Sequence, residues 1–126
     1  MSTFHRLIGD SGRVKFNGGS TVENGIPINR SISFKVVSPG TITHKIISGS
    51  SSDASRMAYV ILVTVTADGK KVTKLYEGAC PTASSAAAVT TNITAEHLEG
   101  ITEAAVVYIY VGAAVNCYNL GFKPAE

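Results

Sequence analysis

Cys80 and His97 are the two side chains in this 126-residue chain that could be a nucleophile and its base. Covalent catalysis needs a thiol or hydroxyl held beside a general base. Neither residue sits in a recognisable local signature, and no Gly-x-Ser-x-Gly elbow occurs. Zinc-ligand spacings of the Cys-x-x-Cys, His-x-x-x-His or His-Glu-x-x-His kind are missing as well. Asp53, Asp68 and Glu77 offer carboxylates from loop-like stretches, but a calcium site needs several oxygens converging, and solvated surface charge is the simpler reading. Glu96, Glu99 and Glu103 could in principle flank a sugar, yet carboxylates so close in sequence are weak support for glycosidase chemistry. Asn17-Gly18-Gly19 lacks the lysine and following helix of a phosphate-binding loop. The expectation is a non-enzymatic protein with no cofactor and no metal.

Charge points to binding instead. The formal net charge is +2, from 11 basic and 9 acidic residues. The whole excess lies in the first thirty residues, where Arg6, Arg13, Lys15 and Arg30 face only Asp10 and Glu23; from residue 31 onward seven basic residues balance seven acidic ones. Such a basic segment suits an acidic partner surface. No Lys/Arg cluster alternates with aromatics as a strand-binding groove requires, so nucleic acid is not expected. Charged residues make up 16% of the chain, below the usual quarter. The surface therefore relies on Ser, Thr, Asn and Gly and suits packing against neighbours, a homo-oligomer among them. No secretory signal opens the sequence, and the longest apolar run, Ala104 to Val111, is far too short for a membrane span. Synthesis in a cytoplasm, without export or membrane insertion, is expected.

The elements that must position these residues are strands. Ser31 to Val37 alternates Ile32, Phe34 and Val36 on one face, and Thr41 to Ile47 does the same with Ile42 and Ile46, with His44 between them as a core or edge residue satisfied by one hydrogen bond. Met57 to Thr66 is apolar on both faces, as a central covered strand would be. Asp68-Gly69 predicts a two-residue primed hairpin turn, and Lys70, Lys71 and Lys74 mark the returning strand as a sheet edge. Val89 to Thr94 favours a strand, and Thr94 to Gly100 a short helical turn capped by Thr94 and ended by Gly100. Ala104 to Phe122 reads as a closing hairpin broken at Gly112, with branched residues suited to extended backbone. Cys117 alternates with Val115 as a small buried hydrophobe, Cys80 precedes Pro81 in a loop, and a bridge between the two stays open. Short strands with turns every eight to twelve residues predict an all-β chain, an antiparallel β-sandwich. Residues 1–27, with Asn17-Gly18-Gly19-Ser20 and Glu23-Asn24-Gly25 as turn chemistry, read as an irregular N-terminal arm, and 28–126 as the sandwich domain.

Ile32-Ser33-Phe34-Lys35-Val36, Pro39-Gly40-Thr41-Ile42-Thr43, the Ser/Gly loop after Ile47, the long strand to Asp68-Gly69-Lys70 and the closing Tyr108-Ile109-Tyr110 … Val115-Asn116-Cys117-Tyr118-Asn119-Leu120-Gly121-Phe122 carry a resemblance. Over residues 28–124 the chain resembles galactose-binding-like β-sandwich modules of the carbohydrate-binding type, from which it departs in having no tryptophan. The resemblance implies a jelly roll in preference to an immunoglobulin-like strand order. It also implies glycan contacts at Asn116 and Tyr118, with Tyr76 as a further contact. A small Ser/Thr/Ala/Gly-rich sandwich behind a basic N-terminal arm is similar, in architecture, to virion accessory proteins such as tailed-phage capsid decoration proteins. That likeness implies a structural protein on the capsid surface, binding neighbouring virion subunits through Arg6, Arg13, Lys15 and Arg30 and one sandwich face; attachment to glycans is the alternative.

Overall fold

The computed structural model describes residues 5–8 and 14–125. Along the chain run β1 (His5–Ile8), β2 (Val14–Phe16), β3 (Val22–Glu23), β4 (Ile26–Pro27), β5 (Ser31–Val36), β6 (Gly40–Ser48), β7 (Met57–Thr66), β8 (Gly69–Ala79), β9 (Val89–Ile93), β10 (Ala105–Val111) and β11 (Val115–Pro124), with a 3₁₀ turn at Glu96–Leu98. The first sheet has the order β1-β11-β6-β9, with β2 also alongside β11; the second has the order β5-β10-β7-β8. Every named strand pair is antiparallel. The chain is thus an all-β antiparallel sandwich, as the alternation predicts.

Alternation decides which side chains fill the space between the sheets. Ile42, Ile46, Val60, Leu62, Val107, Ile109, Val111, Val115, Cys117 and Leu120 are all buried there, removing apolar area from water at about 25 cal/mol per Å². β7 is central in its sheet and buried along most of its length, and β8 is an edge whose lysines 70, 71 and 74 stay exposed. β5 turns Ile32 and Phe34 against the core and ends on buried Val36.

Two local expectations are corrected. The stretch Ala104 to Phe122 is not a hairpin: β10 pairs with β5 and β7, whereas β11 pairs with β1, β2 and β6 in the other sheet. The three residues between them cross the sandwich, and neighbouring strands take their backbone groups. The Gly112 N–H donates to the Met57 carbonyl at 2.9 Å, and the Gly49 N–H to the Ala114 carbonyl at 3.0 Å. Arg56 adds its Nη1 to the Ala114 carbonyl at 2.7 Å while its Nε meets Asp53 at 3.0 Å. The β7–β8 hairpin does form, but Thr66 pairs with Gly69, so Ala67 and Asp68 are the loop residues. Gly69 takes φ +112°, while Asp68 is not among the residues of positive φ, so the turn is not of the type I′ form. That form occurs instead at Asn24 (φ 53°) and Gly25 (φ 81°), which close the β3–β4 ribbon.

The N-terminal segment gives β1 and β2 to the first sheet, and β3 and β4 form a separate two-stranded ribbon. β1 and β2 run side by side with β11, and Phe16 is 4% exposed within the core. The ribbon then crosses to the second sheet: Ser20 exchanges hydrogen bonds with Val111, β4 lies against β10, and Pro27 is buried. A β-carbon at Gly25 would lie 3.7 Å from the Val72 side chain on β8.

Candidate functional site

A small recess opens between the sheets where the edge strands β8 and β9 approach each other. Its wall carries His44 from β6, Tyr76 and Gly78 from β8, Cys80 and Ala87 from the loop that follows, and Val89 from β9. Its volume is about 20 Å³. Three local features build it. His44 lies between Ile42 and Ile46 on the inward side of β6, opposite Leu120 and Val89, and is 2% exposed. Leu75 is an extra residue in β8, because Val60 pairs with Tyr76 and Ile61 already with Lys74. This bulge lets consecutive Leu75 and Tyr76 both turn against the core. The Tyr76 ring then meets His44 edge-on at 5.0 Å, with its hydroxyl over Gly78, which has no β-carbon to obstruct it. Finally, the Cys80 N–H donates to the Arg56 carbonyl at 2.7 Å and the Pro81 carbonyl accepts from the Ser48 N–H at 2.8 Å, fixing the loop entry.

The electrostatics of the recess favour neutral forms. Burial pulls the His44 imidazole down to about 4, and neither ring nitrogen has a hydrogen-bond partner among the described residues. Burial pushes the Cys80 thiol up to about 11. A nucleophilic thiolate–imidazolium pair requires the opposite shifts. Cys117 is also pushed up to about 11, mainly by burial, and both cysteines are free thiols. His97 is not part of this recess: it accepts the Thr94 N–H at Nδ1, at 3.0 Å, beside the 3₁₀ turn. The carboxylates that loops offered are dispersed. Asp53 accepts from the Ser55 hydroxyl and N–H and from Arg56, which hold its carboxyl near 2; Glu77 pairs with Lys74; Asp68 stands in the β7–β8 turn.

The residues expected to bind partners fall in three places. Arg6 is opposite Gly121 in the β1–β11 pair, and Arg13 lies outside the described residues. Lys15 is exposed on β2 and stands opposite Asn116. Arg30 is exposed at φ 45°, and its Nη1 donates to the Gly19 carbonyl at 3.3 Å, joining the two ends of the ribbon. Of the residues with expected glycan contacts, Asn116 and Tyr118 lie together on β11, Tyr118 at the bulge where register shifts between Cys117 and Asn119. The Oδ1 atoms of Asn116 and Asn119 are buried without a partner among the described residues. Tyr76 is not with them; it belongs to the other sheet and faces its interior.

Sequence reasoning missed three arrangements. His44 is a core residue, but the one hydrogen bond expected of it is not made by any described residue. Leu75-Tyr76 between charged Lys74 and Glu77 breaks the alternation of β8, a signal that could have located the bulge. Tyr59 and Tyr110 stack across β7 and β10 with centroids 4.7 Å apart and planes 17° apart. Only strand pairing reveals that contact.

A scan of protein-family models finds no match to this chain, and a search of curated proteins finds none either.

Proposed function

We propose that this chain is a non-enzymatic structural protein of a virion, an auxiliary or decoration protein that docks on neighbouring capsid subunits and is built as a jelly roll. The strand order supports the jelly-roll reading: β5 through β11 change sheet at every connection except the β7–β8 hairpin. One observation carries the docking reading. Exposed apolar and basic groups share one segment. Val14, Val22 and Ile28 are 40%, 40% and 57% exposed, and Lys15 and Arg30 stand exposed among them. Solvent-facing aliphatics interleaved with cations suit an acidic, partly apolar partner surface. The test is co-expression with the capsid genes of its source, followed by sedimentation of the shells. The wild-type protein should travel with the shells, and Val22→Glu with Ile28→Glu should leave it in the supernatant with an unchanged circular dichroism spectrum. A wild-type protein that never sediments with shells rejects the reading.

A second reading, glycan attachment, is favoured by a different observation: half-buried Tyr118 stands at the β11 bulge between Asn116 and Asn119. An aromatic ring flanked by amide side chains is what a sugar face and its hydroxyls require. It predicts weak binding on a glycan array, in the millimolar to micromolar range, about −4 to −8 kcal/mol, that Tyr118→Ala abolishes. A silent array counts against it.

A further inference from the structure

The His44 recess has room for a water beside a buried polar side chain. A neutral imidazole carries one N–H donor and one bare nitrogen acceptor. Here both nitrogens are buried without a partner among the described residues, in a side chain 2% exposed. Buried polar groups in native proteins are nearly always satisfied, by protein or by ordered water. The recess leaves about 20 Å³ open to a water-sized sphere, more than the roughly 10–15 Å³ that one water needs. Its wall is not purely apolar, since the Cys80 thiol and Tyr76 join His44 there.

We propose that this recess is a binding site for a single internal water, held by the His44 ring and shared with Cys80 and Tyr76. The water accepts the ring N–H or donates to the bare nitrogen, and its remaining hydrogen-bonding positions serve the other polar groups of the wall. The position gives the site a structural role. β8 and β9 are edge strands of opposite sheets, so no ladder joins them, and His44 is the buried polar side chain of the first sheet that lies against Tyr76 of the second. A water here links β6 to the β8–β9 connection through polar contacts where the core is otherwise apolar.

Two NMR measurements on the ¹⁵N,¹³C-labelled full chain decide this. Rotating-frame cross-relaxation between water and the His44 ring protons should give a direct cross-peak. Water-oxygen relaxation dispersion should lose the amplitude of one long-lived water in His44→Leu relative to wild type. A dry ring, without a water cross-peak, overturns the proposal, and so does a one-bond ring N–H bonded directly to Tyr76 or Cys80 in through-bond correlation spectra. Because the cross-peak is read on the wild-type protein, a His44→Leu variant that fails to fold does not remove the test.

Discussion

An imidazole that is 2% exposed and has no carboxylate in the wall around it is held uncharged. The groups that face it are Tyr76 and Cys80, with Lys45 next to it on its own strand, and none of these stabilises a cation by ion pairing. Burial lowers its pKa from 6.5 to about 4. The sign follows from proton counting: between those two values the unfolded chain binds a proton at this histidine and the folded chain does not. Stability therefore rises with pH across that window, and it is lost as pH falls from 6.5 toward 4. The loss is on the order of 2–3 kcal/mol. The urea midpoint should fall between pH 7 and pH 4, and His44→Leu should remove most of that slope; an equal slope in the variant would mean that other groups set it. Gly78 tests the partner ring. A β-carbon there would coincide with the Tyr76 hydroxyl, so Gly78→Ala should cost about 1–3 kcal/mol and shift the His44 ring resonances, whereas unshifted resonances would show that Tyr76 does not depend on the glycine. Alternation of Ile42, His44 and Ile46 put the imidazole on the inward face, at the core or its edge. Whether it finds a hydrogen bond depends on a bulge in a strand of the opposite sheet, and no local pattern around residue 44 encodes that.

At the scale of elements, the strands from β5 onward were legible because period-two alternation and branched residues act within six to ten residues, whereas the short β1 to β4 lie in a segment that reads as irregular. The turns were legible only in part. Asp68-Gly69 marks the β7–β8 reversal correctly, but an Asp-Gly pair is compatible with more than one turn geometry, and the ladder places the pair one residue later than a type I′ loop would. Gly69 serves the backbone of this turn: its φ of +112° is one that residues with a β-carbon rarely adopt, although open space surrounds it. Gly69→Ala should therefore destabilise the protein by about 1–3 kcal/mol through backbone strain alone, read as a lower melting temperature with an unchanged strand signal. An alanine variant of wild-type stability would mean that the turn relaxes to another form. The closing strands failed as a hairpin for a complementary reason. Val107, Ile109 and Val111 on one side of Gly112, and Val115 and Cys117 on the other, satisfy alternation equally well in one sheet or in two facing sheets. The choice is made by Met57, Gly49 and Arg56, which claim the connecting backbone from far along the chain.

At the scale of the molecule, the N-terminal segment decides how the sandwich is closed. Composition marks residues 1–27 as distinct, because glycine concentrates there, but composition carries no information on what such a segment packs against. Within the described residues, β2 supplies Phe16 to the shared core, and the ribbon sets buried Pro27 against the second sheet. The same segment turns Val14 and Val22 to solvent at 40% exposure each. One stretch of chain thus has an inner face that belongs to the fold and an outer face available to a partner, and the two separate by mutation. Phe16→Ala should cost about 3–5 kcal/mol, the usual penalty for emptying a buried aromatic site, seen as a large fall in the urea midpoint. Val14→Ser and Val22→Ser should stay within about 0.5 kcal/mol of wild type, as exposed positions do. Equal, small effects at all three positions would show that β2 contributes nothing to the core and that the segment is an appendage. The expected asymmetry would mean that truncating the segment removes stability together with any docking, so partner binding must be probed with the outward valines and Lys15 and not by deletion.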